Sequence, residues 1–302
     1  MTAAVASRTD SLLRAMPAVF VVIWSTGFIV ARYAMPHAPP LKFLCLRYVL
    51  SVAAFLAWAL VTRAAWPRGK VQFAHLAVAG ILMHAGYLGG VWAAVKAGMG
   101  AGLSALLVGL QPVLTAVWIS SRGGEVRGRQ WAGLGLGLLG LVLVVWQKLG
   151  YGEVSPVNFT YAVIALFSIT IGTLYQKRFV APCDVRTANL VQLAAAFVVS
   201  LPLALMESEG MRWTLPGGAL NAELVGAIAW SVLGMTLGGS SLLYLLIQRG
   251  AATTVTSLMY LVPPTTALMA WVLFGEPITA LIVAGMALTA VGVSLVVRPS
   301  RS

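Results

Sequence analysis

His84 and Tyr87 are the first side chains of this sequence whose types and spacing suggest chemistry. They lie three residues apart within an apolar stretch, so a helix would place both on one face. A histidine in such a stretch either takes up a proton as part of its function or stays neutral and hydrogen-bonds to a neighbouring helix. Gln111 poses a similar choice, because a buried amide requires partners from either a bound solute or an adjacent helix.

Other side chains that could surround a solute are aromatic or carry a hydroxyl group. Aromatic faces accommodate apolar groups and attract cations through the π system. Besides His84, Tyr87 and Gln111, the candidate solute-binding residues are Trp24, Ser25, Trp92, Phe167, Tyr244 and Tyr260. Arg47 could meet a carboxylate, but its long stem predicts that the guanidinium group snorkels to the lipid headgroups instead.

Prolines interrupt two of the apolar stretches. Pro112 lies in the middle of one, and Pro263 and Pro264 lie in the middle of another. Proline has no backbone N–H and obstructs the helical ladder, so it leaves carbonyl groups free. Such helix breaks either provide polar backbone groups for a binding site and a hinge, or are passive kinks of a kind common in membrane helices.

Residues that would support catalysis, a metal ion or a cofactor do not group together in this sequence. The glutamates fall near the ends of the apolar stretches or in loops, which disfavours a proton antiporter built on a buried acid. Cys45 and Cys183 have no paired spacing, so neither a disulfide framework nor a thiolate metal site is predicted. Without a catalytic constellation or a phosphate-binding loop, we expect no enzyme activity, no cofactor and no direct use of ATP.

The composition is that of a chain embedded in lipid. Hydrophobic residues make up 60% of the 302 positions and charged residues 9%, whereas a soluble domain has roughly 25% charged residues. About 20 apolar residues cross the hydrocarbon layer as a helix. Stretches of about this length cover residues 15–34, 41–62, 73–95, 101–121, 130–145, 159–179, 188–206, 224–248, 253–274 and 279–297. They lack the alternation of barrel strands, so we predict an all-α polytopic membrane protein with ten transmembrane helices.

The distribution of basic residues predicts the orientation. With ten spans both termini lie on one side, and that side collects fourteen of the twenty Lys and Arg residues against five on the other. The positive-inside rule places this side, and both termini, in the cytoplasm, with the protein in a plasma or bacterial inner membrane. The basic residues are dispersed over short loops, so the net charge of +12 does not predict binding to nucleic acid.

An internal repeat divides the chain into two halves. The segments Leu106–Glu125 and Ser257–Glu276 each place a proline thirteen residues before the glutamate of a Gly-Glu pair, and glycines seven residues apart follow in the next stretch. We therefore predict two five-helix units, residues 1–150 and 151–302. Because five is odd, the units enter the membrane from opposite sides, which is the inverted repeat of secondary transporters around a central cavity.

With these features the chain resembles the drug/metabolite transporter superfamily, and within it the EamA-type proteins. The proline and Gly-Glu signature in both halves carries the resemblance, which extends over residues 15–297. The resemblance implies a cavity lined by the first, third, fourth, sixth, eighth and ninth helices, with the fifth and tenth at the periphery. It also implies the export of amino acids or related metabolites.

Two functions remain open for such a transporter. One is secondary-active export of amino acids or related small metabolites by alternating access, and the other is export of multiple drugs or organic cations from an aromatic-lined pocket. Both predict a small-molecule substrate and the lipid bilayer as partners. The GxxxG motif at Gly133–Gly137 could mark a homodimer face, but close packing within one bundle explains it as well and is preferred, so we expect a monomer or a weak homodimer.

Overall fold

The described residues of this protein are almost entirely helical. A computed structural model describes residues 2–123, 128–239, 242 and 261–297. The helical segments of these residues, which we label in chain order, are α1 (Thr2–Ala34), α2 (Pro40–Val61), α3 (Lys70–Lys96), α4 (Ala101–Val108 and Gln111–Ser121), α5 (Gly128–Gly150), α6 (Pro156–Phe179), α7 (Val185–Met206), α8 (Ala222–Gly239), α9 (Val262–Phe274) and α10 (Ala280–Val297). Within the described ranges, pairing of the β type is limited to an isolated bridge between Thr214 and Leu220.

The lengths and composition of these helices suit a membrane. Seven of the described helices, α2 to α8, are long and apolar enough to cross the hydrocarbon layer. Shorter apolar helices cover Ala18–Ala34, Val262–Phe274 and Ala280–Leu295. The prediction of an all-helical, polytopic membrane protein is therefore confirmed at this level.

Several helices extend beyond the apolar stretches that predicted them. α1 begins at Thr2 rather than near residue 15, and α5 continues to Gly150 rather than ending near residue 145. Hydropathy marks only the part of a helix that lies in lipid, whereas the backbone ladder continues into water wherever it is not interrupted. The predicted end of the eighth helix and start of the ninth lie mostly outside the described residues.

Connections between alternate helices meet at one end of the bundle. Lys96 Nζ, at the end of α3, donates to Met35 O after α1 (3.1 Å) and to Glu209 Oε2 after α7 (2.8 Å). Ala101 N, at the start of α4, donates to Glu276 Oε1 after α9 (2.9 Å). Successive helices therefore run in alternate directions.

The connections after α2 and α6 meet at the opposite end. Gln72 Nε2 donates to Ala181 O at 2.8 Å, and Thr187 Oγ1 donates to Ala65 O at 2.8 Å. These bonds join the start of α3 to the loop between α6 and α7, and the start of α7 to the loop after α2. The two ends of the bundle are thus each cross-linked by polar contacts between loops.

The glycines of α5 and α10 allow these two helices to pack with their backbones in contact. A Cβ atom on Gly140 would lie 2.3 Å from Gly285 O, and one on Gly292 would lie 2.5 Å from both Gly133 O and Gly137 N. Distances this short exclude any larger side chain unless the helices move apart. Gly133, Gly137 and Gly140 thus lie at a contact within one bundle, which is the preferred explanation of the GxxxG motif.

The helix α4 is interrupted immediately before its proline. Its first part ends at Val108 and its second begins at Gln111, with Gly109 and Leu110 forming a turn between them. Pro112 is the second residue of the second part, where a missing N–H costs little. α9 begins in the same way, because Pro263 and Pro264 occupy its first turn.

Two wide, π-helical segments are features that the sequence did not predict. They cover Ile81–Gly86 within α3 and Trp230–Gly239 within α8. Each belongs to the third helix of its half of the chain. π-Helical turns are rare, and those that do occur are frequently found at functional sites. The residues around both segments are therefore candidates for a functional site.

Candidate functional site

A cavity lies between α1, α2, α3, α7 and α8, with Ile169 of α6 also in its wall. The space between its atoms is about 850 Å³, part of which is open to solvent. The resemblance implied lining by helices that include the fourth and ninth. Among the described lining residues none belongs to α4 or α9, and α2 and α7 contribute instead.

Arg47 of α2 is the charged group of this cavity. Only 6% of the residue is exposed, and its Nε and Nη2 donate to Thr236 Oγ1 of α8 at 3.4 and 3.2 Å. The third nitrogen, Nη1, is buried without a hydrogen-bond partner among the described residues. The prediction that Arg47 snorkels to the headgroups is therefore wrong, because α2 packs against α7 and α8 with this residue facing inward.

His84 and Tyr87 both line the cavity, as their spacing on one helical face predicted. His84 belongs to the π-helical segment of α3, and its carbonyl oxygen accepts from Tyr48 Oη at 2.9 Å. Arg47 is a charged neighbour of the His84 side chain. A histidine, a phenol and a guanidinium group thus share one wall.

Two of the predicted tryptophans also contribute to the lining. Trp24 of α1 packs against Phe20 with ring centroids 5.3 Å apart. Trp92 of α3 is 1% exposed and stacks on Phe43 at 4.4 Å, so most of its surface belongs to the core. Trp24 is therefore the more available of the two for contact with a solute.

Three predicted residues lie away from the cavity. Ser25 is fully buried, and its Oγ donates to Val21 O (2.8 Å) and approaches Val262 O (3.4 Å), which joins α1 to α9. Gln111 Nε2 donates to Thr173 Oγ1 of α6 at 2.9 Å, so its described partner is an adjacent helix. Phe167 has half of its surface exposed on the outside of α6.

Several predictions concern residues outside the cavity or outside the described ranges. Tyr244 and Tyr260 lie outside the described residues. Pro112, Pro263 and Pro264 are described but are not part of the cavity lining. Among the described residues, no three His, Cys, Asp or Glu side chains lie close enough together to hold a metal ion.

Sequence reasoning directed Arg47 to the headgroups instead of the cavity, and it missed two further polar residues of the lining, Asn189 and Thr236. A signal was available for Arg47, because an ionisable residue within a membrane span is a functional candidate by default. Asn189 and Thr236 gave no comparable signal, since amides and hydroxyls occur in many membrane helices as interhelical contacts.

The family comparison bears on both halves of the chain. The EamA-like transporter family matches it over residues 15–146 and again over residues 158–298. The chain therefore belongs to the EamA-like transporter family, and the resemblance seen in its sequence is confirmed. A multi-pass membrane protein with a central cavity fits transport as the function class of this family.

Individual relatives of this chain are also named as transporters. A probable amino-acid metabolite efflux pump of Salmonella typhimurium (strain LT2) is 27% identical over 298 residues, which are 95% of this chain and 94% of the relative. The uncharacterized inner membrane transporter YedA of Escherichia coli (strain K12) is 25% identical over 259 residues, which are 85% of this chain and 81% of the relative. A solved crystal structure of a protein with 18% sequence identity covers 93% of this chain and 94% of its own, with a TM-score of 0.61, and shows likeness of fold.

Proposed function

We propose that this protein is a secondary-active exporter of amino acids or related small metabolites in a bacterial inner membrane. The observation that carries the proposal is a largely apolar cavity with a buried arginine and a few further polar groups, a composition typical of small-molecule sites. The relative named as a probable amino-acid metabolite efflux pump spans almost the whole chain, which supports this substrate class.

The proposed architecture is two inverted five-helix units, residues 1–150 and 151–302, with both termini in the cytoplasm. Equivalent helices of the two halves share unusual features, which support the duplication. α3 and α8 each contain a π-helical segment, the second part of α4 and the start of α9 each carry proline in their first turn, and α5 and α10 meet through glycines. An odd number of spans in each unit makes the repeat inverted.

Alternating access requires elements that can change shape around the cavity. We propose that Pro112, Pro263 and Pro264 mark hinges, because the helical ladder is interrupted before Pro112 and α9 carries Pro263 and Pro264 in its first turn. The π-helical segments are a second kind of adjustable element, and they contribute His84 and Thr236 directly to the cavity wall. A change in either segment would move cavity side chains.

Export of organic cations is the alternative that the cavity favours less. A cation pocket benefits from a carboxylate, whereas the described lining contains a buried arginine and no acidic residue. Aromatic walls alone could still attract a cation, but the positive charge of Arg47 in the same cavity would repel it.

Counterflow in proteoliposomes tests the proposal. Vesicles loaded with an unlabelled mixture of amino acids should accumulate radiolabelled leucine or phenylalanine without ATP, and vesicles without the protein should not. A quaternary ammonium dye should compete poorly. Counterflow of the dye without counterflow of any amino acid would overturn the proposal in favour of the organic-cation exporter.

A further inference from the structure

We infer that Arg47 anchors a carboxylate of the substrate, so that the cavity selects monocarboxylates with an apolar or aromatic side group. The inference rests on the proposed function, because it concerns the same cavity. It goes further by assigning the recognised group and the residue that recognises it.

The bonding of Arg47 leaves part of its guanidinium group without a partner. Thr236 Oγ1 accepts from both Nε and Nη2, at 3.4 and 3.2 Å, which are long bonds to a neutral oxygen. Nη1 is buried and has no partner among the described residues. A buried charge without a counter-ion costs much free energy, and polar groups in protein interiors are almost always satisfied. An anion beside Nη1 would satisfy this guanidinium group.

A carboxylate matches the guanidinium group in charge and in shape. The planar guanidinium group can donate two parallel hydrogen bonds to the two oxygens of a carboxylate. None of the described lining residues is acidic, so these residues offer no such group to Arg47. We therefore assign the anion to the solute.

The remaining walls indicate what is attached to that carboxylate. They are mostly apolar or aromatic: Ile23, Trp24, Phe28, Met83, Leu88, Val91, Trp92, Ile169, Leu193 and Met235. Such walls favour a large apolar side group over a second charge. Asn189 also lines the cavity, and its Nδ2 donates to Val185 O at 2.8 Å, which leaves the Oδ1 oxygen as an acceptor for a substrate ammonium group.

A purely structural role for Arg47 makes a different prediction. If the guanidinium group serves only to join α2 to α8 through Thr236, its removal would lower stability without changing which solutes bind. Selectivity between a carboxylic acid and its amide is therefore the measurement that separates the two roles.

The first test uses the wild-type protein and compares phenylalanine with phenylalaninamide, which differ only in the carboxylate. Thermal shifts in detergent should show stabilisation by phenylalanine, with the amide binding about tenfold more weakly or worse, as expected for the loss of hydrogen bonds to a charged group. Phenylpropionate, which lacks the ammonium group, should also bind. Equal stabilisation by acid and amide, or by neither, would overturn the inference.

The second test replaces the anchor. Arg47→Gln should remove the preference for phenylalanine over phenylalaninamide, and Arg47→Lys should retain part of it because the charge remains. Arg68→Gln is the control, since Arg68 is exposed and lies outside the cavity. This variant should prefer phenylalanine over phenylalaninamide to the same extent as the wild type. A full preference in a folded Arg47→Gln protein would refute the anchoring role. If Arg47→Gln fails to fold, Arg47→Lys and the wild-type comparison decide.

Failure of the inference and failure of the proposed function are distinguishable. Counterflow of amino acids together with equal binding of acid and amide would leave the exporter standing and remove the carboxylate anchor. Selective binding of the acid without counterflow would retain the anchor and remove the exporter.

Discussion

Buried polar residues of this protein find partners in two different ways. Ser25 and Gln111 are satisfied within the protein, by a carbonyl oxygen and by a threonine hydroxyl, and so they join helices. Arg47 and His84 line the cavity, where we propose that a solute shares in their hydrogen bonding. The local sequence around each is similarly apolar, so residue type alone does not separate the two groups. The distinction is a matter of the direction in which each side chain points.

At the scale of the residue, we predict that His84→Gln leaves transport dependent on an imposed proton gradient to the same extent as the wild type. Arg47 interacts electrostatically with His84, and a second positive charge beside the first is unfavourable in a largely apolar cavity. His84 would then act as a neutral hydrogen-bonding group. The measurement is counterflow and uptake with and without a pH gradient.

His75→Gln is a matched control, because His75 is a histidine of the same helix that bonds to Tyr175 Oη at 2.8 Å and lies outside the cavity lining. Loss of gradient dependence in His84→Gln alone, with exchange at equal pH preserved, would make His84 the proton carrier.

At the scale of the element, helix ends and helix crossings are set by a few short side chains. Gly275 ends α9 with a φ of +67°, a conformation that favours glycine. The chain then presents Glu276, whose Oε1 accepts from Ala101 N at the start of α4. The Gly-Glu pair that marked the repeat in the sequence is thus a cap on a helix of the other half. The equivalent pair at residues 124–125 lies outside the described residues.

Removal of this cap should lower stability. Glu276→Ala leaves the Ala101 N–H without its partner and removes a negative charge from a helix N-terminus. We expect the free energy of unfolding to fall by about 1 kcal/mol. The measurement is the melting temperature of the purified protein. Glu209→Ala is the comparison, since it removes an exposed ion pair with Lys96 and should have a smaller effect. Equal effects of the two substitutions would contradict a capping role.

The crossing of α5 and α10 gives a second prediction for elements. Gly140→Ala should destabilise the protein by about 1–3 kcal/mol, because the new methyl group would lie 2.3 Å from Gly285 O and force the helices apart. Gly135→Ala, in the same helix, has nothing within 4 Å of its Cβ position and should be neutral or slightly stabilising. Thermal unfolding in detergent compares the pair, and an equal loss in both would contradict close packing at Gly140 as the cause.

At the scale of the whole molecule, charge differs between the two ends of the bundle. At the end where α3 and α5 finish, Lys96 pairs with Glu209 and Lys148 pairs with Glu153, each at 2.8 Å, so basic charge is partly neutralised. The ten-span topology predicted from the sequence assigns fourteen Lys and Arg residues to the opposite side and five to this one. An excess of basic charge is retained on the cytoplasmic side of membranes.

We therefore predict that reporters fused to either terminus are both cytoplasmic. A fluorescent protein that matures only in the cytoplasm should be active at both ends, and a phosphatase active only outside the cytoplasm should be inactive at both. Reporters on opposite faces would require an odd number of spans and would remove the inverted repeat. Substitution of Arg63, Arg68 and Lys70 by glutamine tests the cause, because it should weaken the orientation without changing the number of spans.

Composition and spacing by themselves indicated that this chain is helical and embedded in lipid and that its two halves are related in sequence. These properties depend on averages over many residues or on repeated spacing, both of which are visible in one dimension. The pair His84 and Tyr87 was predicted correctly as a shared face because three residues nearly complete a helical turn.

The tertiary structure alone decided which side chains reach the cavity. Soluble helices reveal their inward face by the contrast between apolar and polar sides, but helices in lipid are apolar all round, so their rotation about the long axis leaves little trace in the sequence. Arg47 therefore faces inward where snorkelling was predicted, and Phe167 faces outward where a binding role was predicted. The π-helical segments were equally hidden, since no residue type requires them and packing between helices selects them.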